Sequence, residues 1–423
     1  MSEPMISIPY TQSTLANCIG YKDRYTDKKY SSSEVRSSLA KDALLSITNK
    51  TIFQNPLRKI NILGKPAYAF NNLKAELTSR LMSKNLKINY KNKQSDRQSI
   101  VANTISLLED GTKYDIFRFD IEGFYENIER KELYEQIETQ GKCSKHTLIL
   151  LKDLFLNFDY HEISGLPRGL GISSTLSEIY LTDFDNIARN INGVFYYARF
   201  VDDIILITSG ETPKNIVEQE LKDALPTSLN FHPSGNKFHY VAVPQAKDEG
   251  YWSYSLSYLG YDLKVYDFYD NTDTPHQRRL IKVDISQDKI KKIKLRLAQS
   301  FANFTATTAS HTDYMLLKNR IRALTGNYTI RDPMSGIKIK TGIYYNYIHK
   351  NNFDDCGLSQ LDDFYYKLLF GKSTSLSKRI SKIIPLEYRR DLAGYSFTSG
   401  FSTQRYHSFE YKVLKKIKEC WRK

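Results

Sequence analysis

The chain has 423 residues, of which 41% are apolar and 26% charged, and it carries a formal net charge of +14. That balance excludes a disordered or fibrous chain and allows two or three domains with sizeable cores. No run of 18 apolar residues occurs, which excludes a conventional membrane-spanning helix, and four well-separated cysteines suggest neither a zinc site nor a disulfide framework.

The first residues lack a basic stretch followed by an apolar one, so a secretory signal is not expected and the cytoplasm is the expected compartment. The charge is uneven. Residues 271–423 hold 29 basic and 13 acidic side chains, a net +16, and the first 270 residues carry a net −2. Such asymmetry points to a C-terminal surface that grips a phosphate backbone, against the plainer reading of a solvated basic face.

Taken in order, residues 1–50 are polar, with a helix expected at about 33–48 and no motif. Within 51–112 a short strand at 60–63 precedes a Gly64-Lys65-Pro66 turn, and helical spacing runs over 68–82. A basic stretch, with Lys91 and Lys93, leads to Ser95-Asp96, which caps a helix over 97–108. Within 113–265, Ile116, Phe117 and Phe119 form a strand that ends on Asp120, before Gly123 and Glu126-Asn127 break the pattern. One or two helices are expected over 131–156, then a loop whose Gly165, Gly169 and Gly171 allow close backbone approach, then a helix over 173–183.

Two β-rich runs, Phe195 to Phe200 and Ile204 to Ile207, flank Asp202-Asp203, which reads as a tight hairpin turn. A helix at 215–225 and a strand over 251–263 follow. Beyond a turn-rich linker at 267–279, residues 287–301 form a basic amphipathic helix with Ile290, Ile293 and Leu297 on one stripe and Lys289, Lys292 and Arg296 off it. Further helices are expected at 313–325, 342–351, 359–371 and 409–423. Tyr344, Tyr345, Tyr347, Tyr365 and Tyr366 are either stacking platforms for bases or core positions.

The chemistry lies in the carboxylates. Two adjacent anions between buried strands repel unless a cation neutralises them, and Mg²⁺ takes carboxylate oxygens while leaving room for phosphates. Asp alone favours turns, so the doublet by itself is also an ordinary turn. Asp120, at a strand end 82 residues earlier, supplies the second carboxylate strand that two-metal phosphoryl transfer needs.

Phe119-Asp120-Ile121-Glu122-Gly123-Phe124-Tyr125 and Phe200-Val201-Asp202-Asp203 resemble motifs A and C of reverse transcriptases, and 165–181 resembles motif B. Arg168 stands where that motif usually has Gln, and Ser174 where it usually has Pro; the departures resemble the bacterial abortive-infection and defence-associated enzymes. Asn236-Lys237 resembles the motif D lysine, and 257–261 resembles motif E, the primer grip. The resemblance covers about 50–345.

It implies an α+β, right-hand polymerase: an N-terminal extension (1–50), fingers (51–112), a palm with an antiparallel sheet (113–265) and a basic α-helical thumb and C-terminal region (266–423). It implies catalytic Asp120, Asp202 and Asp203, with Ile121 joining them in the set that binds two Mg²⁺ ions. Arg97, Tyr125, Arg168, Gly169 and Lys237 are expected at the nucleotide, with Lys91 and Lys93 as alternatives to Arg97. Tyr125 would reject a 2′-hydroxyl and Lys237 would protonate or cover pyrophosphate. Arg168 contacts a phosphate or pairs with an acid such as Glu178. Leu259, Gly260 and Tyr261 would press on the primer end, and Lys289, Lys292 and Arg296 would hold nucleic acid.

The activity implied is copying of a dedicated non-coding RNA template into a DNA product from dNTPs, in phage defence. Template-independent synthesis primed on a tyrosine hydroxyl, and a silent RNA-binding scaffold, are the alternatives. The oligomeric state is not readable.

Overall fold

The computed structural model describes residues 5–54, 57–62, 64–91, 96–233, 237–246, 253–267, 279–351 and 356–421. Lys93, Ser95 and Asn236, and most of the 267–279 linker, lie outside them. The chain forms two units: residues 1–96, 112–245 and 333–336 make one, and residues 97–111, 246–332 and 337–423 the other. The helix at 97–108 and the strand region at 253–266, expected with fingers and palm, thus belong to the second unit.

In the first unit, helix Ser33–Thr48 follows the expected span. Strands β1 (Leu57–Ile62) and β2 (Lys65–Phe70) form an antiparallel hairpin. The helical spacing over 68–82 therefore begins too early: Tyr68 to Phe70 pair with Leu57 to Lys59, and helix Leu73–Tyr90 starts only where the Asn72 side chain accepts from the Ala75 amide at 2.8 Å.

The main sheet of this unit is antiparallel, in the order β4-β5-β3-β6, with β3 Tyr114–Asp120, β4 Val194–Phe200, β5 Asp203–Thr208 and β6 His239–Val243. β3 is almost wholly buried because it has a strand on each side and helices against it. Phe117, Phe119, Ile204 and Leu206 share one core with Leu176, Ile179 and Phe184 from helices Gly171–Tyr180 and Thr182–Asn190. Burying each such side chain stabilises by about 1.5–3 kcal/mol, so the strand ends that carry the acids are firmly based.

The second unit is less helical than expected. β7 (Ser253–Tyr258), β8 (Tyr261–Tyr266) and β9 (Leu280–Ile285) form an antiparallel meander. β10 (Asn327–Arg331) lies between β11 (Lys338–Gly342) and the short β12 (Tyr406–His407). No helix forms at 342–351, where Tyr344 and Tyr347 instead make turns. Helices Gln287–Thr305, His311–Thr325, Gly357–Phe370 and Tyr411–Glu419 match four expected ones. Among the described residues no helix is long and apolar enough to cross a membrane.

Candidate active site

β3 ends on Asp120 and β5 begins on Asp203, and the two residues are direct partners across the strand pair. Asp202 occupies the turn between β4 and β5, where Phe200 pairs with Asp203. The Asp202 carbonyl accepts from the Ile121 amide at 3.2 Å, which ties the turn to the residue after Asp120. The sheet therefore brings together three acids from two places far apart in the sequence. Val201, the other turn residue, has φ +63°. That left-handed conformation is costly for a β-branched side chain and persists only where neighbours enforce it.

Electrostatics follow from burial. The Asp202 carboxyl is pushed above its usual range by desolvation first and by Asp120 second. Asp203 is also raised by desolvation, while Arg118 pulls it down. Lys237 Nζ lies 2.7 Å from Asp120 Oδ1, His232 Nε2 lies 3.2 Å from the same oxygen, and the Lys237 and His232 nitrogens are 3.1 Å apart. Arg118 donates to Asp203 Oδ1 at 3.2 Å. Asp202 has no ion pair among the described residues.

Arg118 and His232 are neighbours of these acids that the sequence reading missed. Arg118 was recoverable, because residues two apart on a strand share a face and Arg118 precedes Asp120 by two. His232 was not. It is placed by a segment that bridges Phe231 to Ile121, donates the His232 amide to the Asp120 carbonyl at 2.9 Å, and accepts the Glu122 amide at Asn230.

The donor set suits a hard divalent cation: three carboxylates, two of them raised in pKa, first of all by burial. Among the described residues no three acid, His or Cys side chains form a ready-made metal group. Asp120 and Asp203 are instead neutralised by protein cations.

The glycine-rich loop approaches other backbone closely. At Gly165 (φ +58°) a Cβ would lie 2.1 Å from the Tyr125 carbonyl oxygen, and at Gly169 (φ +96°) 2.6 Å from that of Tyr68. The Tyr68 amide donates to the Arg168 carbonyl at 2.7 Å, so the loop is fastened to β2. Arg168 pairs with Glu126, Nε to Oε1 at 2.6 Å and Nη2 to Oε2 at 3.0 Å, and stands over the Tyr125 ring at 5.3 Å. The acid it takes is thus Glu126 and not Glu178, which binds Arg199. Glu126 is held below the usual carboxylate range by Arg168.

Arg97 and Leu259, Gly260 and Tyr261, expected as a primer grip, lie in the second unit. The Arg97 guanidinium donates to the Leu259 carbonyl (Nε, 2.8 Å) and the Asn346 carbonyl (2.9 Å), and stacks on Tyr261 at 5.0 Å. Residues 253–266 are two strands and not one: Leu259 (φ +46°) and Gly260 (φ +83°) turn the chain. The expectation that Leu259 and Tyr261 press on a nucleotide meets burial instead. Tyr261 is 0% exposed, with its hydroxyl bonded to Gln98 at 3.0 Å, and Leu259 is buried too. Arg97, Lys289, Lys292, Ile293, Arg296, Asn346 and Tyr347 line a cavity of about 210 Å³ that has four cations and no acid. Tyr347 and Tyr365 are buried, so neither is a stacking platform, whereas Tyr366 is exposed.

A model of the family described as reverse transcriptase (RNA-dependent DNA polymerase) matches residues 46–263. No curated protein matches. Among solved structures, the apo telomerase of Candida tropicalis, truncated from its C-terminal domain, matches at 14% identity and a TM-score of 0.32. The match covers 50% of this chain and 53% of that one, so the chain spans about half the length of that telomerase chain.

Proposed function

Because the chain belongs to the reverse transcriptase (RNA-dependent DNA polymerase) family, we propose that it extends DNA on an RNA template, with Asp120, Asp202 and Asp203 as the catalytic carboxylates. The observation that carries this reading is the cross-strand pairing of Asp120 with Asp203, beside a turn that presents Asp202. Two Mg²⁺ ions on these acids would supply charge for activating a primer 3′-hydroxyl and for the oxygens of the phosphate it attacks. The new bond joins the primer oxygen to the α-phosphorus of a dNTP, and the bond to pyrophosphate breaks.

This chain's own residues do the remaining work. Lys237, already at the site, hands a proton to the departing pyrophosphate. Tyr125, half-buried beneath the Arg168 guanidinium, would reject a ribose 2′-hydroxyl. The basic cavity of the second unit takes backbone phosphates of the template or product strand. The departures at Arg168 and Ser174 support a finer reading, that the template is a dedicated non-coding RNA and the DNA product serves phage defence.

The test is to purify the protein with its co-expressed RNA, supply dNTPs and Mg²⁺, and compare the parent with D202A/D203A. Incorporation by the parent alone is expected; equal incorporation would remove the catalytic assignment. DNA that stays on the protein after RNase but not after protease would replace the RNA-templated reading with tyrosine priming.

A further inference from the structure

The conformation of the Val201-Asp202 turn is unfavourable in itself, so something must hold it. Besides the Ile121 amide on the Asp202 carbonyl, a side chain also reaches it, that of Arg199, in β4 two residues before Val201. Its Nη1 donates to the Val201 carbonyl at 2.9 Å. The rest of the guanidinium is fixed by two acids from separate helices. Nε and Nη2 each meet Asp185 at 2.7 Å, and Nη2 and Nη1 meet Glu178 at 2.8 and 3.3 Å. Asp185 also accepts from the Tyr197 hydroxyl at 2.6 Å. The Arg199 side chain is only 4% exposed, so this is no surface pair.

A buried Arg with two acids is weak evidence for stability alone, since apolar side chains of the same volume often do as well. What an apolar replacement could not do is donate to a carbonyl at a strained turn. The planar fork suits this task, because one guanidinium can meet two carboxylates and still have a donor left, whereas an ammonium is a point charge with no fixed fork.

We propose that Arg199 is a positioning residue: it clamps the Val201 carbonyl, holds the turn in its left-handed form, and so keeps Asp202 aimed beside Asp120 and Asp203. Because Glu178 lies on helix Gly171–Tyr180, which follows directly from the glycine-rich loop, the clamp also joins that loop's helix to the catalytic turn. The inference rests on the polymerase reading for its purpose but not for its geometry.

The test is a cycle of R199K and V201G. R199K keeps the positive charge for Asp185 and Glu178 and loses the fork. V201G removes the strain that the clamp opposes, because glycine adopts positive φ freely. The first readout is amide hydrogen exchange of the 196–208 segment in metal-free protein. The second is Mn²⁺ affinity, from the electron paramagnetic resonance signal of the free ion.

We expect R199K to speed exchange of that segment and weaken Mn²⁺ binding by about tenfold in the parent, and by less than threefold in the V201G background. Equal losses in both backgrounds would show that Arg199 acts through general packing and would overturn the proposal. Should R199K fail to fold, E178Q tests the same coupling more gently, since Asp185 still anchors the arginine. Again a smaller loss in the V201G background is expected and an equal one refutes. Neither readout needs nucleotide incorporation, so failure of the polymerase reading and failure of the clamp are separately visible.

Discussion

Replacing Lys237 by methionine should move cation binding and turnover in opposite directions. In the structure the Lys237 ammonium lies 2.7 Å from Asp120 Oδ1, with a side chain about half exposed (51%). A divalent ion that uses Asp120 must compete with that ammonium. Ion pairs with one exposed partner are worth up to about 1 kcal/mol, so their loss should tighten Mn²⁺ binding up to about fivefold. The same substitution removes the proposed proton donor for pyrophosphate, and general acid catalysis contributes about 10²–10⁴-fold. Methionine keeps the length and apolar stem, which limits collapse of the site. Affinity is read from free Mn²⁺ by electron paramagnetic resonance without nucleotide, and turnover from the single-turnover rate of one dNTP addition. Weaker Mn²⁺ binding would refute the competition, and an unchanged rate would refute the proton role.

Three further outcomes are expected. Y125A should raise incorporation of ribonucleotides relative to deoxynucleotides, measured as the ratio of their kcat/KM values, with little change for dNTPs. G165A should lower the melting temperature by several degrees. Its Cβ meets the Tyr125 and Glu126 backbone at 2.1 and 2.6 Å, and left-handed strain alone costs roughly 1–3 kcal/mol. G141A, at φ +62° with nothing within 4 Å, carries only the strain and should be the milder of the two. His407 is held down to about 4, mainly by burial and then by Arg322 and Arg405. The unfolded chain takes up this proton below about pH 6.5 and the folded one only near 4, so stability falls as pH drops through that window. H407Q should flatten the fall in melting temperature between pH 7 and 5; an unchanged slope would refute the assignment.

The three acids were legible because strand alternation and turn chemistry are local signals: Phe117 and Phe119 mark the strand that ends on Asp120, and Phe200 and Ile204 bracket the turn. Gly165 and Gly169 were legible for the same reason, as each stands where backbone comes too close for a Cβ. Contacts set by distant pairing were not. His232 reaches Asp120 only because Phe231 bridges to Ile121, more than a hundred residues away. Residues 251–263 read as one strand because polar and apolar residues alternate on both sides of the Leu259-Gly260 turn; the turn shows only as a one-residue shift of phase, from Tyr254, Leu256 and Tyr258 to Leu259, Tyr261 and Leu263. Charge could not separate an arginine awaiting phosphate from one whose donors go to carbonyls, which is how Arg97 is used. The helix expected at 342–351 does not form, because the chain spends its hydrogen bonds there on turns.

The path of the chain constrains how the protein can be made and cut. Helix Arg97–Leu108 emerges from the ribosome early, yet the carbonyls that receive its leading arginine belong to Leu259 and Asn346. Its buried face of Ile100, Val101, Thr104 and Leu108 belongs to a unit whose chain resumes only at residue 246, so it must wait, bare, for well over a hundred further residues of synthesis. A fragment ending near residue 263 would carry Asp120, Asp202 and Asp203 but lack most of the second unit, and would present that helix as a sticky, orphaned surface, so chaperone dependence and aggregation should follow the cut.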